Sequence, residues 1–204
     1  MKSKGFDNDA AMSYFVNRVK SGPKLTGANK TLVYWEEVFT SAGVELPKGT
    51  VVQAWKSNAM PKVIAAGHQV TNSYKWYLNH GCDNFGDGNW PKFYENEPHG
   101  FVPAGTPPAQ LSLIVGGETT MWAECVDTVI FDSIVWPRAA AAAEKLWSPR
   151  ESTARATAEV ATRLQEHRCR LVTRGVPAAP LNDASSYTEH GEPADERIFV
   201  AGCM

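Results

Sequence analysis

The sequence predicts an α/β fold, either part of a (β/α) barrel or part of a doubly wound parallel sheet. Three observations carry that expectation. Short runs rich in β-branched and aromatic residues recur at 31–35, 50–55, 68–77 and 111–115, segments of helical pattern lie between or after them, and tryptophans gather where the runs end. With 204 residues, 43% hydrophobic and 21% charged, the chain has the composition of an ordinary globular protein and enough apolar content for one compact domain.

Taken in order, the first 22 residues place Ala11, Tyr14, Phe15 and Val19 on one helical face, and Ser21-Gly22-Pro23 ends that helix. "TLVYW" (31–35) and "TVVQAW" (50–55) read as the first two strands. Pro61 then opens "PKVIAAG", a short helix stopped by Gly67, which suits a crossover between parallel strands. "HQVTNSYKWY" (68–77) and "LSLIV" (111–115) supply the third and fourth strands. In "VWPRAAAAAEKLWS" the alanine run favours helix, with Trp136 and Trp147 expected to pack at its ends. From Glu151 to Thr173 the positions of Ala156, Val160, Ala161, Leu164 and Leu171 predict a long closing helix. Beyond Pro177 the composition turns polar and rich in glycine and proline, so residues 1–182 are taken as the domain and 183–204 as an irregular tail.

Several function classes are disfavoured at once. The net charge is -2 and Lys and Arg are scattered, so there is no basic stripe for a phosphate backbone and nucleic acid is not expected as a partner. No apolar run approaches the ~20 residues that span a bilayer, and "MKSKGFDNDA" lacks the apolar centre of a signal peptide. Cys82, Cys125, Cys169 and Cys203 form no CxxC pair, which argues against a zinc knuckle or a thioredoxin-type site and leaves free or partly buried thiols as the plain reading. His68, His80, His99, His167 and His190 show no metal-ligand spacing, so neither a metal nor a cofactor is expected. Asn29-Lys30-Thr31 is a glycosylation acceptor if the chain enters the secretory route.

Loops at the C-terminal ends of barrel strands carry active sites, which directs attention to the residues that end each predicted strand. These are Trp35, Trp55, Trp76 with Tyr77, and Trp122 with Glu124. A single tryptophan at a strand end is more often packing than ligand contact. Repetition at four strand ends reverses that preference, and a rim of indole faces with nearby acids suits a sugar, which offers one apolar face and many hydroxyls. Glu36, Glu37 and Glu118 also read as structural acids, and Asp127 as a residue that fixes its loop. On chemical grounds alone Glu118 and Glu124 could be the two carboxyl groups of a glycosidase, a role that spacing leaves open.

The blocks "LVYWEEVF", "VVQAWK", "SYKWYLN", "FYENEP", "LIVGGETTMWAECVD", "WPRAAAAAEKLWS" and "RCRLVTRGVPAAPLN" together resemble the C-terminal half of the catalytic barrel of family 20 β-N-acetylhexosaminidases, the lysosomal type especially, collinearly from Met1 to Asn182. The resemblance implies the C-terminal half of a (β/α)8 TIM barrel, about four parallel strands with their helices, plus a long C-terminal helix. It also implies removal of terminal N-acetylglucosamine or N-acetylgalactosamine by a substrate-assisted route, in which the sugar's own acetamido oxygen attacks the anomeric carbon. By the same resemblance Trp35, Trp55 and Trp122 wall the acetamido pocket, and Tyr77 hydrogen-bonds the acetamido oxygen. Glu124 accepts hydrogen bonds from the remote sugar hydroxyls, with Asn79 beside it at the mouth and Trp76 among the substrate contacts. His80 departs from the residues that family members carry there.

The family's adjacent Asp-Glu pair, which orients the acetamido nitrogen and protonates the leaving oxygen, is matched upstream of Met1. This chain alone is therefore expected to be inactive, a general acid being worth ~10² to 10⁴ in rate. A non-catalytic carbohydrate-binding remnant and a dimerising remnant are the alternatives, and the resemblance allows a homodimer. It further implies a lysosomal or secreted parent enzyme, a glycan ending in N-acetylhexosamine as partner, and a bridge between Cys169 and Cys203.

Overall fold

β-Branched residues set where the sheet forms. The computed structural model describes residues 5, 7–22, 30–40, 44–56, 59–84, 86–182 and 202–203. Within them Val33–Trp35 (β1), Val51–Ala54 (β2), Gln69–Asn72 (β3) and Ile114–Gly117 (β4) form one parallel sheet in the order β1-β2-β3-β4. Tyr34 lies opposite Val52, Val52 opposite Val70, and Val70 opposite Ile114, with a register shift between Val70 and Thr71. Consecutive strands are neighbours throughout. A doubly wound sheet reverses its order at a switch point, so the progression matches a barrel segment.

The fold has two compact units, residues 1–74 with 98–117 and residues 75–97 with 118–204. The first contains the sheet. Val52, Ala54, Val70 and Ile114 pack with Met60, Val63 and Ile64 of the helix Met60–Ala65, joined by Phe39, Phe101 and Leu111. Gln53 and Asn72 are buried as well, as expected for a parallel sheet covered on both faces. Pro61 stands in the first turn of that helix and Gly67, at φ +80°, follows its end, so the crossover is built as the sequence suggests.

The first helix spans Asn8–Lys20 (α1), capped by Asp7, whose carboxylate accepts the Ala10 N–H at 2.8 Å. Its buried face is not the expected one. Val16 is buried, whereas Tyr14 and Phe15 are exposed. Which stripe of a helix is covered depends on the surface it meets, and that surface is not written in the helix's own period. β3 is also shorter than its run. The Asn72 side chain turns the chain by accepting the Tyr74 N–H at 3.2 Å and donating to the Tyr74 carbonyl at 3.0 Å, so Trp76 and Tyr77 lie beyond the strand. Leu111 ends a short helix, Pro108–Leu111, and β4 takes in the two glycines predicted to follow it.

The second unit is built on helices. Trp90, Phe93 and Tyr94 of Trp90–Glu95 pack against Ala141 and Ala142 of Arg138–Trp147, where small side chains let the helices meet closely. Val160, Ala161 and Leu164 of Ala158–Thr173 complete this core, and Thr157 caps that helix through the Val160 N–H. The helix begins at Ala158 rather than Glu151, because Arg150–Thr153 forms a separate 3-10 turn. Trp136 packs on the core as expected, but Trp147 is 90% exposed and packs no helix end. Cys169 and Cys203 are bridged, with Cα atoms 5.5 Å apart. Residues 183–201 and 204 of the expected tail, Asn29 of the glycosylation triplet and Pro23 of the expected helix stop lie outside the described residues. Among the described residues no helix is long and apolar enough to cross a membrane.

Candidate functional site

In the second unit, five sequence-predicted residues lie on two loops that the chain fastens together. Trp76, Tyr77 and Asn79 lie on the first loop, and Trp122 and Glu124 on the second. Tyr77 and Thr120 form a parallel bridge, with Leu78 N–H donating to Thr120 O at 2.9 Å and Thr120 N–H to Trp76 O at 3.0 Å. Asn79 adds a side-chain tie. Its Oδ1 accepts the Trp122 N–H at 2.9 Å, and its Nδ2 donates to Gly81 O at 3.0 Å and to Glu124 Oε2 at 3.2 Å. The disulfide Cys82–Cys125, with Cα atoms 4.9 Å apart, closes the same two loops and replaces the free thiols expected from spacing. No CxxC was needed, because the partners meet through the fold.

Ala123, between Trp122 and Glu124, has φ +58°. A left-handed backbone costs a non-glycine residue roughly 1–2 kcal/mol, and such strain persists where surrounding contacts hold it. Here the Asn79 bond on one side and the disulfide on the other do so. Trp122 is 50% exposed and Glu124 is exposed, so an indole face and a carboxylate are both presented to solvent. The Tyr77 ring is nearly parallel to Trp122, with centroids 6.5 Å apart at 14°, and to His80, 5.0 Å apart at 10°.

Two of the assignments are corrected. Trp76 is 0% exposed, belongs to the helical core and donates its indole N–H to Phe93 O at 2.8 Å, so it offers no face to a ligand. Asn79 is 0% exposed and both its amide groups are occupied by protein. It shapes the loop behind Glu124 rather than standing at a mouth. Asp127 fixes its loop, as expected, through the Val129 and Ile130 N–H groups at 2.9 and 3.2 Å. Glu118 is exposed as a residue, although partial desolvation of its carboxyl pushes it above the usual carboxylate range.

Sequence reasoning missed the residues that support this cluster. Gly86 has φ +52°, and a Cβ there would fall on the Tyr77 carbonyl oxygen and 2.6 Å from the Leu78 carbonyl carbon. Arg138, buried within "WPR", donates to Leu78 O at 2.8 Å, Asn84 O at 3.1 Å and Gly88 O at 3.1 Å, holding both ends of the 78–88 loop. The signals available were an arginine opening an apolar helix and the glycines of "FGDG".

In the first unit, Trp35 ends β1 and Trp55 follows β2. Glu36 is buried and its Oε2 accepts the Trp55 and Lys56 N–H groups at 2.9 and 3.0 Å. Glu37 Oε1 accepts the Trp55 indole N–H at 2.7 Å and Lys56 Nζ at 3.0 Å. Both acids are thus structural, and Glu37 orients the Trp55 ring. Desolvation raises the Glu37 carboxyl, but hydrogen bonds from Lys56, its own backbone and Trp55, with the Lys56 charge, outweigh that and leave it below its ordinary range.

A sequence profile described as "Glycosyl hydrolase family 20, catalytic domain" matches residues 1–150. The chain is similar to beta-hexosaminidase 3 of Arabidopsis thaliana, 39% identical over 184 residues, covering 89% of this chain and 32% of that protein. It is also similar to the human beta-hexosaminidase subunit beta, 36% identical over 187 residues, with coverages of 89% and 32%. The chain therefore spans about a third of the length of these curated relatives. Among solved structures, a Flavobacterium johnsoniae chitobiase superposes with TM-score 0.67 at 28% identity, covering 86% of this chain and 26% of that one. A Vibrio harveyi exo beta-N-acetylglucosaminidase in complex with N-acetylglucosamine gives 0.71 at 24% identity, with coverages of 90% and 30%, a likeness of fold.

Proposed function

Because this chain belongs to glycosyl hydrolase family 20, and its four-stranded parallel α/β fold is part of a (β/α)8 barrel, we propose that it serves a β-N-acetylhexosaminidase as sugar-holding machinery. The substrate is a terminal non-reducing N-acetylglucosamine or N-acetylgalactosamine of a glycoconjugate, and the setting implied by the resemblance is lysosomal or secreted. The observation that carries this reading is the fastened pair of loops presenting Trp122 and Glu124 beside the stacked Tyr77.

Each group has a chemical task. The Trp122 face excludes water from one side of the acetamido group, and the Tyr77 phenol donates to the acetamido oxygen while that oxygen turns toward the anomeric carbon. A well-held intramolecular nucleophile lowers a barrier by orientation alone. Glu124 accepts from sugar hydroxyls, its carboxylate steadied by Asn79. Trp35 and Trp55, in the first unit, are each proposed as a sugar contact, tested by its own alanine variant.

By the resemblance, the Glu that protonates the leaving group has no counterpart among these 204 residues. A polypeptide of these 204 residues alone is thus proposed to bind the sugar without cleaving it, as a carbohydrate-binding remnant also would. Purified chain is incubated with a chromogenic N-acetylglucosaminide and, separately, titrated with N-acetylglucosamine by tryptophan fluorescence. No release is expected. Binding is expected to weaken about tenfold in Trp122→Ala, the loss of one aromatic contact, with an unchanged melting temperature. Equal binding by that variant removes the pocket reading, and release that the variant abolishes removes the claim of inactivity.

A further inference from the structure

We propose that Asp87 is a positioning residue for Tyr77, orienting the phenol both through the backbone and through the His80 ring. The proposal rests on the reading of Tyr77 as the acetamido partner and adds the group that sets its direction. Asp87 grips both polar groups of the Tyr77 main chain: its Oδ2 accepts the Tyr77 N–H at 2.6 Å, and its own N–H donates to Tyr77 O at 2.9 Å. The other carboxylate oxygen, Oδ1, lies 3.1 Å from His80 Nε2. An ionised carboxylate only accepts, so the ring nitrogen facing it carries the proton, and the tautomer and plane of His80 are set together.

That plane lies 10° from the Tyr77 ring at a centroid distance of 5.0 Å. Asp87, His80 and Tyr77 therefore form a closed circuit of a carboxylate grip, a ring stack and a backbone pair. Gly86, immediately before Asp87, has no Cβ to hold the two segments apart. The circuit lies outside the apolar cluster that holds the unit together, and the His80 side chain is half exposed. It spends a carboxylate and an imidazole on the attitude of one tyrosine.

The circuit makes distinct demands of each variant. Asp87→Ala removes the two carboxylate contacts, to the Tyr77 N–H and to the His80 ring, and keeps the main-chain bond from residue 87 to Tyr77 O. Asp87→Asn keeps both contacts in neutral form, its Oδ1 accepting from Tyr77 and its Nδ2 donating to the other His80 tautomer. His80→Ala removes the stack from an exposed position, so it reports even if Asp87→Ala fails to fold.

The test compares the 204-residue chain with Asp87→Ala, Asp87→Asn, His80→Ala and the Ala/Ala double variant. In sugar-free protein, aromatic NMR signals of Tyr77, assigned with Tyr77→Phe, are expected to move alike in both alanine variants and to stay near wild type in Asp87→Asn. Affinity for N-acetylglucosamine is expected to fall about fivefold in each alanine variant and no further in the double variant, since members of one circuit are not additive. Asp87→Asn is expected to stay within about twofold. Unmoved Tyr77 signals, multiplicative losses, or moved signals without weakened binding each overturn the proposal. If the wild type binds no sugar, the hexosaminidase reading fails, and the sugar-free signals still decide whether Asp87 orients Tyr77.

Discussion

Asn79 Oδ1 accepts the main-chain N–H of Trp122 at 2.9 Å, across 43 residues of sequence. One buried amide therefore places the backbone of the exposed indole, while its other end holds Glu124. The position of a solvent-facing carboxylate is decided by a residue that solvent never touches.

Replacing Asn79 by alanine leaves the Trp122 N–H and the Gly81 carbonyl without their partner. Losing such bonds in a part-buried setting costs about 1–3 kcal/mol, and the urea midpoint at pH 7 is expected to fall accordingly. Asn79→Asp keeps the acceptor for Trp122 but turns an oxygen toward the Gly81 carbonyl and Glu124. It is expected to be no more stable than the alanine variant, and a midpoint equal to wild type would show that the donor side of this amide contributes nothing.

At Gly86 two penalties coincide. Its φ of +52° strains any L side chain, and an alanine Cβ would meet the backbone of Tyr77 and Leu78. Left-handed strain of about 1–2 kcal/mol adds to an overpacking cost of about 1–3 kcal/mol. Gly86→Ala is expected to lower the melting temperature more than Gly81→Ala, where φ is +55° and a Cβ meets nothing within 4 Å. Equal losses at the two sites would mean that the close approach to Tyr77 is unimportant.

The Glu37 carboxyl is held below its ordinary range in the folded chain. A depressed folded value means that Glu37 contributes stability at pH above the unfolded value, and that this contribution is lost as pH falls through the folded one. Wild type is therefore expected to lose stability on acidification below about pH 4.5 by more than Glu37→Gln does, with Trp55 fluorescence following the same change, since the Glu37 side chain receives the Trp55 indole N–H. Identical acid profiles for the two proteins would remove Glu37 as the group responsible.

Much of the architecture was legible along the chain. β1, β2, the crossover helix with Pro61 and Gly67, and the helix around the alanine run follow from local period and from backbone preferences acting within a few residues. Legibility ended where local rules ended. β3 stops at Asn72 because a side chain folds back on Tyr74, and α1 buries Val16 in place of Tyr14 and Phe15 because the covering surface lies elsewhere in the chain.

The candidate site divides in the same way. Tryptophans at strand ends and the quoted blocks sufficed, by themselves, to indicate the family, and they pointed to Tyr77, Trp122 and Glu124, which the fold brings onto two fastened loops. Only the tertiary structure decided that Trp76 turns into the core, that Asn79 works from behind, that Cys82 meets Cys125, and that Asp87 and Arg138 hold the loop. The physical reason is range: periodicity and turn chemistry act over a handful of neighbours, whereas a buried amide, a bridge or a guanidinium takes partners ten to sixty residues away, which only the folded chain brings within 3 Å.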